Sequence, residues 1–144
     1  MTTDKSPMFA LSIKQPWAGL IVAGVKSIEV RRWPTARRGR VLIHAARIPD
    51  PRPEALKHIS EENKPLTQLL GGIIGAVNLI ECRHYAESSK FLVDWEKHRN
   101  EPDWFEPAGL FGFVFANPEI LPFRSCPGWF RFFSVPDTEP TNPQ

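Results

Sequence analysis

Short stretches of alternating apolar and polar residues run along most of the chain, and they predict more strands than helices. A first helix is predicted from Pro16 to Gly24, and a second runs from Ser88 to Asn100. Short helical turns are expected near Pro53 and at residues 66–70. Strands are predicted at residues 9–13, 27–33, 40–46, 73–82, 110–116, 119–123 and 129–135.

These elements indicate an α+β fold, a small closed or nearly closed β-barrel with short helices packed outside. A regular alternation of strands and helices is absent, which argues against a doubly wound sheet. The polar residues 1–8 are expected to be flexible, and residues 9–135 form one domain. The last segment, residues 136–144, contains three prolines and is expected to be a disordered tail.

Overall composition restricts the broad class of protein. The chain has 144 residues, which suits one domain with one core. No stretch approaches the ~18 apolar residues of a membrane span, and the first residues lack a signal-peptide core, so a cytoplasmic location is expected. Cys82 and Cys126 are far apart and outside any Cys-x-x-Cys pattern. We therefore expect two free thiols, no metal and no cofactor.

The distribution of charge says more than the net value of +2. Residues 31–40 contain five arginines and no acid, whereas acidic residues concentrate in 54–62, in 87–106 and in the last segment. Such asymmetry is typical of a protein with one anion-binding face. The alternative is that the arginines only solubilise a loop and pair with nearby glutamates.

Lys26, Glu29 and Arg31 form the strongest candidate site. Lys26 lies in the predicted turn before a strand, and Glu29 and Arg31 are on one face of that strand, about 6–7 Å apart at Cα. The two cations can hold a phosphate while Glu29 accepts a hydrogen bond from a base. Glu29 can instead act as a general base, with Lys26 stabilising developing negative charge. A salt-bridge cluster without a ligand is the third interpretation.

Other residues extend this candidate site. Trp33 is predicted on the same strand face as Glu29 and is a candidate for stacking on a base. By the same alternation His44 faces the cleft. Contacts with phosphate are predicted for Arg37, Arg38 and Arg40. In contrast, we expect Trp17 to anchor the first helix, and Phe111, Phe113 and Phe115 to belong to the core.

Several motifs together resemble the ASCH domain, a branch of the PUA-like β-barrel superfamily. The resemblance extends over residues 9–135. The motifs are Ser12-x-Lys14-Gln15-Pro16-Trp17-Ala18, Gly24-x-Lys26-x-x-Glu29-x-Arg31-x-Trp33, Arg38-Gly39-Arg40 and Gly75-x-Val77-x-Leu79-x-Glu81-Cys82.

The resemblance implies a PUA-like barrel with a basic cleft beside the first helix that accommodates RNA or another nucleic acid. One branch of the family hydrolyses the acetyl amide of N4-acetylcytidine with a lysine, a threonine three residues later and a distant glutamate. Lys26 matches that lysine, but Glu29 stands at the threonine position, and Glu81 is the candidate for the distant acid. Another small member of the family is linked to ribonuclease activity.

Three hypotheses about function follow. The first is RNA or single-stranded nucleic-acid binding through a cleft lined by Lys26, Glu29, Arg31, Trp33 and Arg40. The second is an enzyme, either a hydrolase acting on a nucleoside-like small molecule or a ribonuclease, with Lys26, Glu29 and Glu81 as catalytic residues. The third is a protein-interaction module that uses the aromatic loop around Trp104 and Phe105. The sequence does not indicate an oligomeric state.

Overall fold

One mixed, curled sheet of six strands forms the framework of the protein. The computed structural model describes residues 8–136. Of the segments predicted to be flexible (1–8) and disordered (136–144), residues 1–7 and 137–144 lie outside this range, and Met8 is instead the first residue of a strand. The strands follow the order β2-β5-β4-β3-β1-β6, in which only β1 and β3 are parallel. They are β1 (Met8–Ile13), β2 (Ile28–Arg31), β3 (Gly39–Ala45), β4 (Gly72–Tyr85), β5 (Leu110–Ser125) and β6 (Phe132–Val135).

The sheet is a half-barrel, whereas the alternation predicted a closed or nearly closed barrel. Its edge strands, β2 and β6, share no backbone pairing within residues 8–136. Side chains approach each other across the gap. The ring of Trp33, just after β2, meets the ring of Phe132 in β6 edge to face at 5.7 Å. The predicted α+β class is confirmed, and the barrel is open at the level of hydrogen bonding.

Strand β5 is one continuous strand of 16 residues, whereas the sequence predicted two strands separated near Pro118. Proline lacks the N–H that a central strand needs, and it is tolerated at an unpaired edge or a bulge. The partner β2 covers only residues 111–114 of β5, so the later half has β4 alone as neighbour. A bulge marked by a positive φ at Asn117 also falls there. The strand therefore continues past its prolines.

The helices are short and surround the sheet. The predicted second helix breaks at Asp94 into two, and the loop before β5 contains a 3₁₀ turn. Among residues 8–136, no helix combines the length and apolarity needed to cross a membrane. The α-helices are α1 (Trp17–Val22), α2 (Lys64–Thr67), α3 (Ser88–Val93) and α4 (Trp95–His98), and the 3₁₀ helices are Pro53–His58 and Pro102–Trp104.

Helix α1 is buried along its whole length, and one side chain fixes its start. Pro16 precedes the first helical residue rather than occupying it, and its peptide bond with Gln15 is cis. The buried Gln15 amide donates to the carbonyls of Leu66 and Leu69, and its oxygen accepts from the Gly19 N–H. A Cβ at Gly19 would lie 2.7 Å from the backbone of Leu66, so only glycine permits this approach of α1 to α2. The site residues before and after α1 are thereby held in place.

Candidate functional site

A central cleft of about 320 Å³ opens where β1, α1, β2 and the loop after β3 meet. It is bounded by cationic, carboxylate and aromatic side chains from sequence-distant segments. Its volume is at the lower end of the ~300–1,000 Å³ that small-molecule sites occupy. We use the name central cleft for the space between Ser12, Ile13, Lys14, Trp17, Glu29, Arg31, Ala46, Asp50 and Arg52.

Arg31 and Glu29 form one wall of the central cleft. Arg31 Nε and Nη2 both lie 2.9 Å from Glu29 Oε2, and Nη2 also donates to the Ser12 carbonyl at 2.9 Å. Their adjacency on one strand face is the arrangement that alternation predicted. Within residues 8–136, no protein atom accepts a hydrogen bond from Arg31 Nη1, so this wall retains a donor for a ligand.

Lys26 lies behind this wall rather than in the cleft. Its ammonium donates to the His98 carbonyl and, at 3.1 Å, to Asn100 Oδ1, and lies 4.8 Å from the centre of the Trp17 ring. Glu29 Oε1 is 3.9 Å away. Burial lowers the pKa of Lys26 from 10.5 to about 8, although the charge of Glu29 acts in the opposite direction. Lys26 therefore supports Glu29 from the protein interior.

Asp50 and Arg52 form the opposite wall. Trp17 Nε1 donates to Asp50 Oδ2 at 2.8 Å, and Arg52 pairs with the same carboxylate at 2.7 Å. Burial alone would raise the pKa of Asp50, but the hydrogen bonds from Arg52 and Trp17 outweigh it and lower the pKa to about 2. The Arg52 guanidinium also lies 3.5 Å from the centre of the Trp104 ring. The wall is thus a fixed array of charge and aromatic surface.

The charges of the two walls largely balance. Glu29 is paired with Arg31, and Asp50 is paired with Arg52. Lys14 is exposed at the rim and adds a further positive charge. The cleft therefore has a small positive excess together with both donors and acceptors, a combination that suits a ligand with a phosphate and a polar ring.

Two further clefts adjoin the central one. The first shares Arg31 and Arg52 with it, measures about 310 Å³ and is named here the Trp104 cleft; it is bounded by Val30, Arg31, Arg32, Trp33, Arg52, Asn100, Trp104, Glu106 and Leu110. The second shares Ser12, Lys14 and Ala46, measures about 440 Å³ and is named the Trp129 cleft; it is bounded by Ser12, Lys14, His44, Ala46, Arg47, Ile48, Gly128, Trp129 and Phe130. The three clefts adjoin through these shared residues and are together called the groove.

The arginine run is not gathered in this groove. Arg37 lies 3.8 Å from the centre of the Phe9 ring, and Arg38 donates to the carbonyls of Thr35 and Arg37. Arg40 pairs with Glu119 at 2.8 Å, on the side of the sheet where β3, β4 and β5 meet. Only Arg31 and Arg32 of the five border the groove, and Arg32 pairs with Glu106 at 2.9 Å.

Glu81 is not brought to Lys26 and Glu29. Strand register places Glu29 opposite Phe113, and Phe113 opposite Cys82. Since directly paired residues share a face and neighbours alternate, Glu81 points to the other face from Glu29. Its carboxylate pairs with Arg83 at 2.6 Å in a separate cavity.

Trp33 and His44 border the groove, but both are engaged by the protein. The half-buried Trp33 ring packs edge to face on Phe113 at 5.0 Å and leaves part of its surface in the Trp104 cleft. His44 is buried; its Nδ1 lies 2.9 Å from Ser12 Oγ, and its Nε2 lies 2.8 Å from the Cys126 carbonyl. A carbonyl only accepts, so Nε2 carries the proton and Ser12 donates to Nδ1. Burial lowers the pKa of His44, which favours this neutral form.

Several groove residues were missed at the sequence level. Asp50 and Arg52 come from the proline-rich loop after β3, where two opposite charges on either side of Pro51 were the available signal. Trp129 and Phe130 were assigned to a strand, although adjacent residues of a strand face opposite sides and cannot both be in one core. Both are exposed in the structure.

No cluster suited to a metal ion occurs in the part of the chain that the structure describes, where three or more His, Cys, Asp or Glu side chains never converge. Cys82 and Cys126 are free and half-buried, as expected for two unpaired thiols.

Comparison with known sequences identifies relatives of this chain. The family model of the ASCH domain matches residues 11–118. Activating signal cointegrator 1 from Homo sapiens is 29% identical over 122 residues, and the Mus musculus protein of the same name is 35% identical over 122 residues. Each match covers 78% of this chain and 19% of the relative, so the chain spans about a fifth of the length of these curated relatives.

Solved structures resemble the fold. The crystal structure of ASCH from Zymomonas mobilis superposes with a TM-score of 0.62 at 15% identity, covering 91% of this chain and 89% of the other. A mutant of the same protein gives a TM-score of 0.63 at 15% identity, with 92% of each chain covered. At such low identity the likeness shows a common fold.

Proposed function

The chain belongs to the ASCH domain family, and on that premise we propose that its central cleft binds RNA or single-stranded nucleic acid. One nucleotide unit at a time would occupy the cleft. The observation that carries the proposal is the convergence of Lys14, Arg31 and Arg52 around a space that also contains the Glu29 carboxylate.

Each wall supplies a different part of nucleotide recognition. Exposed Lys14 and the guanidinium of Arg52 suit a phosphate, which basic side chains bind with little dependence on sequence. Glu29 suits a base amino group, because a carboxylate accepts hydrogen bonds and Arg31 holds this one in a fixed orientation. Trp104, already covered on one side by Arg52, offers an aromatic surface at the edge of the cleft.

Binding of a fluorescein-labelled single-stranded 12-mer RNA, measured by fluorescence anisotropy at several salt concentrations, tests the proposal. We expect affinity to fall as the salt concentration rises. A plot of the logarithm of the association constant against the logarithm of the salt concentration should have a slope of about −0.7 for each phosphate contacted. The exposed substitution Lys14→Ala should weaken binding about 10- to 150-fold, since hydrogen bonds to charged groups contribute about 1.5–3 kcal/mol. Arg52→Ala should weaken it similarly.

Arg38→Ala is the matched control, because Arg38 is an exposed arginine whose side chain donates to local carbonyls away from the groove. It should change affinity less than Lys14→Ala does. Equal losses for the two variants would mean that binding follows overall charge rather than the cleft. An absence of any RNA or single-stranded DNA binding would contradict the proposal outright.

A hydrolase acting on a modified nucleoside is the second candidate. It is favoured by one observation, the lysine whose pKa is about 8 and whose ammonium lies 3.9 Å from the cleft carboxylate Glu29. In that reaction Glu29 would remove a proton from the attacking water as general base, and Lys26 would hold the Glu29 carboxylate in place from behind. The Glu29→Gln variant separates the two functions. Turnover of N4-acetylcytidine or of an RNA oligonucleotide that this change abolishes, with binding retained, would establish the enzyme.

A further inference from the structure

Two adjacent aromatic side chains project from the loop between β5 and β6. Trp129 is 65% exposed and Phe130 is 77% exposed. Their ring centres are 5.2 Å apart and their planes are inclined by 34°, so they form a joint apolar surface. Exposed rings of this size are unusual because each forgoes a substantial hydrophobic stabilisation on folding.

The loop that carries them is anchored by its other residues. His44 Nε2 donates to the Cys126 carbonyl at 2.8 Å, and the Cys126 N–H donates to the Gly71 carbonyl at 3.1 Å. The backbone at Gly128 lies directly against the same imidazole, since a Cβ there would be 2.6 Å from His44 Cε1. The Arg131 guanidinium lies 4.9 Å from the centre of the Trp33 ring. The two rings are therefore presented by a fixed backbone.

The rings border the Trp129 cleft, which shares part of its lining with the central cleft. The two spaces have Ser12, Lys14 and Ala46 in common. Lys14 is an exposed cation among these shared residues, and exposed Arg47 is a second cation in the lining of the Trp129 cleft. Aromatic surface and positive charge are thus combined in one cleft, as in proteins that hold single strands.

We propose that Trp129 and Phe130 form a stacking platform for an unpaired base next to the one in the central cleft. Lys14 would hold the phosphate between the two nucleotides. This inference rests on the proposed function and adds to it that the ligand is a strand of at least two nucleotides rather than a single nucleoside. The platform lies outside the residues matched by the family model, 11–118.

A single strand suits this surface better than a protein partner does. A protein interface buries a broad apolar core from which charged residues are depleted. Here the two rings share their cleft with the cations Lys14 and Arg47, and that cleft shares lining residues with the central cleft. Any of the bases can stack on either ring, and the phosphates next to that base would contact Lys14 and Arg47.

The experiment compares affinities for the labelled 12-mer RNA and for unlabelled cytidine monophosphate used as a competitor. We expect the double substitution Trp129→Ala with Phe130→Ala to weaken binding of the 12-mer roughly 5- to 150-fold, the range that corresponds to loss of one stacked base. The inhibition constant of cytidine monophosphate against the 12-mer, which reports on the central cleft, should stay within about twofold.

Two further variants make the result specific. Trp129→Leu with Phe130→Leu keeps apolar bulk but removes the aromatic faces, and it should lose affinity nearly as much as the double alanine variant. Phe123→Ala removes an exposed ring of β5 that borders none of the three clefts, and it should bind the 12-mer like the parent. Thermal unfolding of each variant checks that it is folded.

The outcomes separate the platform from the function on which it rests. If the parent binds the 12-mer and the double alanine variant binds equally well, the platform is wrong and the proposed function stands. If the parent binds no single strand, both fail. If the double variant leaves RNA binding intact but abolishes self-association in analytical ultracentrifugation, the rings belong to an interface between copies of the chain, and the platform is again wrong.

Discussion

Lys26 and Glu29 are close, 3.9 Å apart between Nζ and Oε1, but they lie on different sides of the cleft wall. Glu29 borders the central cleft, whereas Lys26 is buried against Trp17 and the carbonyl of His98. A buried ammonium beside a surface-lining carboxylate fixes the orientation of that carboxylate without touching the ligand itself.

The buried charge of Lys26 should be visible in the pH dependence of stability. The pKa of Lys26 is about 8 in the folded protein, below its ordinary value of 10.5, so between these values the unfolded chain binds more protons. Stability consequently rises with pH in this window. Relative to Lys26→Met, the parent should gain about 2 kcal/mol in free energy of unfolding from pH 7 to pH 10.

Urea denaturation of both proteins across this range measures the difference. Lys90→Met, at an exposed lysine of α3, is the control and should follow the parent at every pH. A constant difference between parent and Lys26→Met from pH 7 to 10 would show that the ammonium is not desolvated.

Arg31→Lys should damage the site although charge is conserved. A lysine cannot reproduce the fork by which Nε and Nη2 hold Glu29 and the Ser12 carbonyl. We expect a loss of about 1–3 kcal/mol in free energy of unfolding and weaker RNA binding, with the salt dependence of binding unchanged. Arg38→Lys makes the same chemical change at an exposed position and should be neutral in both measurements.

Asp50 should contribute to stability at neutral pH and lose that contribution in acid. Its folded pKa of about 2 is below the ordinary value of 3.8, so the stabilisation is complete above pH 3.8 and disappears as pH falls through about 2. This lowering of the Asp50 pKa corresponds to a contribution of about 2 kcal/mol to the free energy of unfolding at neutral pH. Asp50→Asn should therefore unfold more easily at pH 7, and its deficit should shrink below pH 4.

Chemical denaturation between pH 2 and pH 7 checks this. Asp103→Asn alters an exposed carboxylate and should leave the acid limb of the stability curve as in the parent. If the deficit of Asp50→Asn stayed constant down to pH 2, the pairing with Arg52 and Trp17 would not be the cause.

Gly128→Ala should disturb the loop that presents Trp129. The new Cβ would lie 2.6 Å from His44 Cε1 and 3.1 Å from Ser12 Oγ, so the loop or the imidazole must move. We expect the free energy of unfolding to fall by about 1–3 kcal/mol, which is typical of an overpacked site. Amide hydrogen exchange at residues 126–131 should become faster. Ser134→Ala on neighbouring β6 should change neither quantity. Unaltered exchange in Gly128→Ala would mean that His44 does not anchor the loop.

Sequence reasoning succeeded where the relevant contacts are local. Alternation along β2 placed Glu29 and Arg31 on one face, and the structure joins them at 2.9 Å. The glycine at position 24, with φ of +83°, ends the first helix as predicted. Such features depend on a few neighbouring residues, and local geometry decides them.

The burial of Lys26 and the composition of the groove could not be predicted in this way. The carbonyl that accepts from Lys26 belongs to His98, 72 residues later. Arg52 and Trp129 reach the groove from loops whose positions depend on how β3 and β6 sit in the sheet. A run of arginines likewise does not show in which direction each side chain projects. The arginine side chains of residues 31–40 point to different parts of the surface because this segment follows the curve from β2 to β3.

Strand β1 has neighbours made at very different times during synthesis on the ribosome. Its parallel partner β3 follows soon after it, but its antiparallel partner β6 is translated last of all the strands. Until β6 arrives, one edge of β1 is left unpaired and open to other chains, a recognised route to aggregation. The pairing that covers this edge of β1 also brings Trp129 and Phe130 to the groove, so the proposed platform forms only once the last of the six strands is in place.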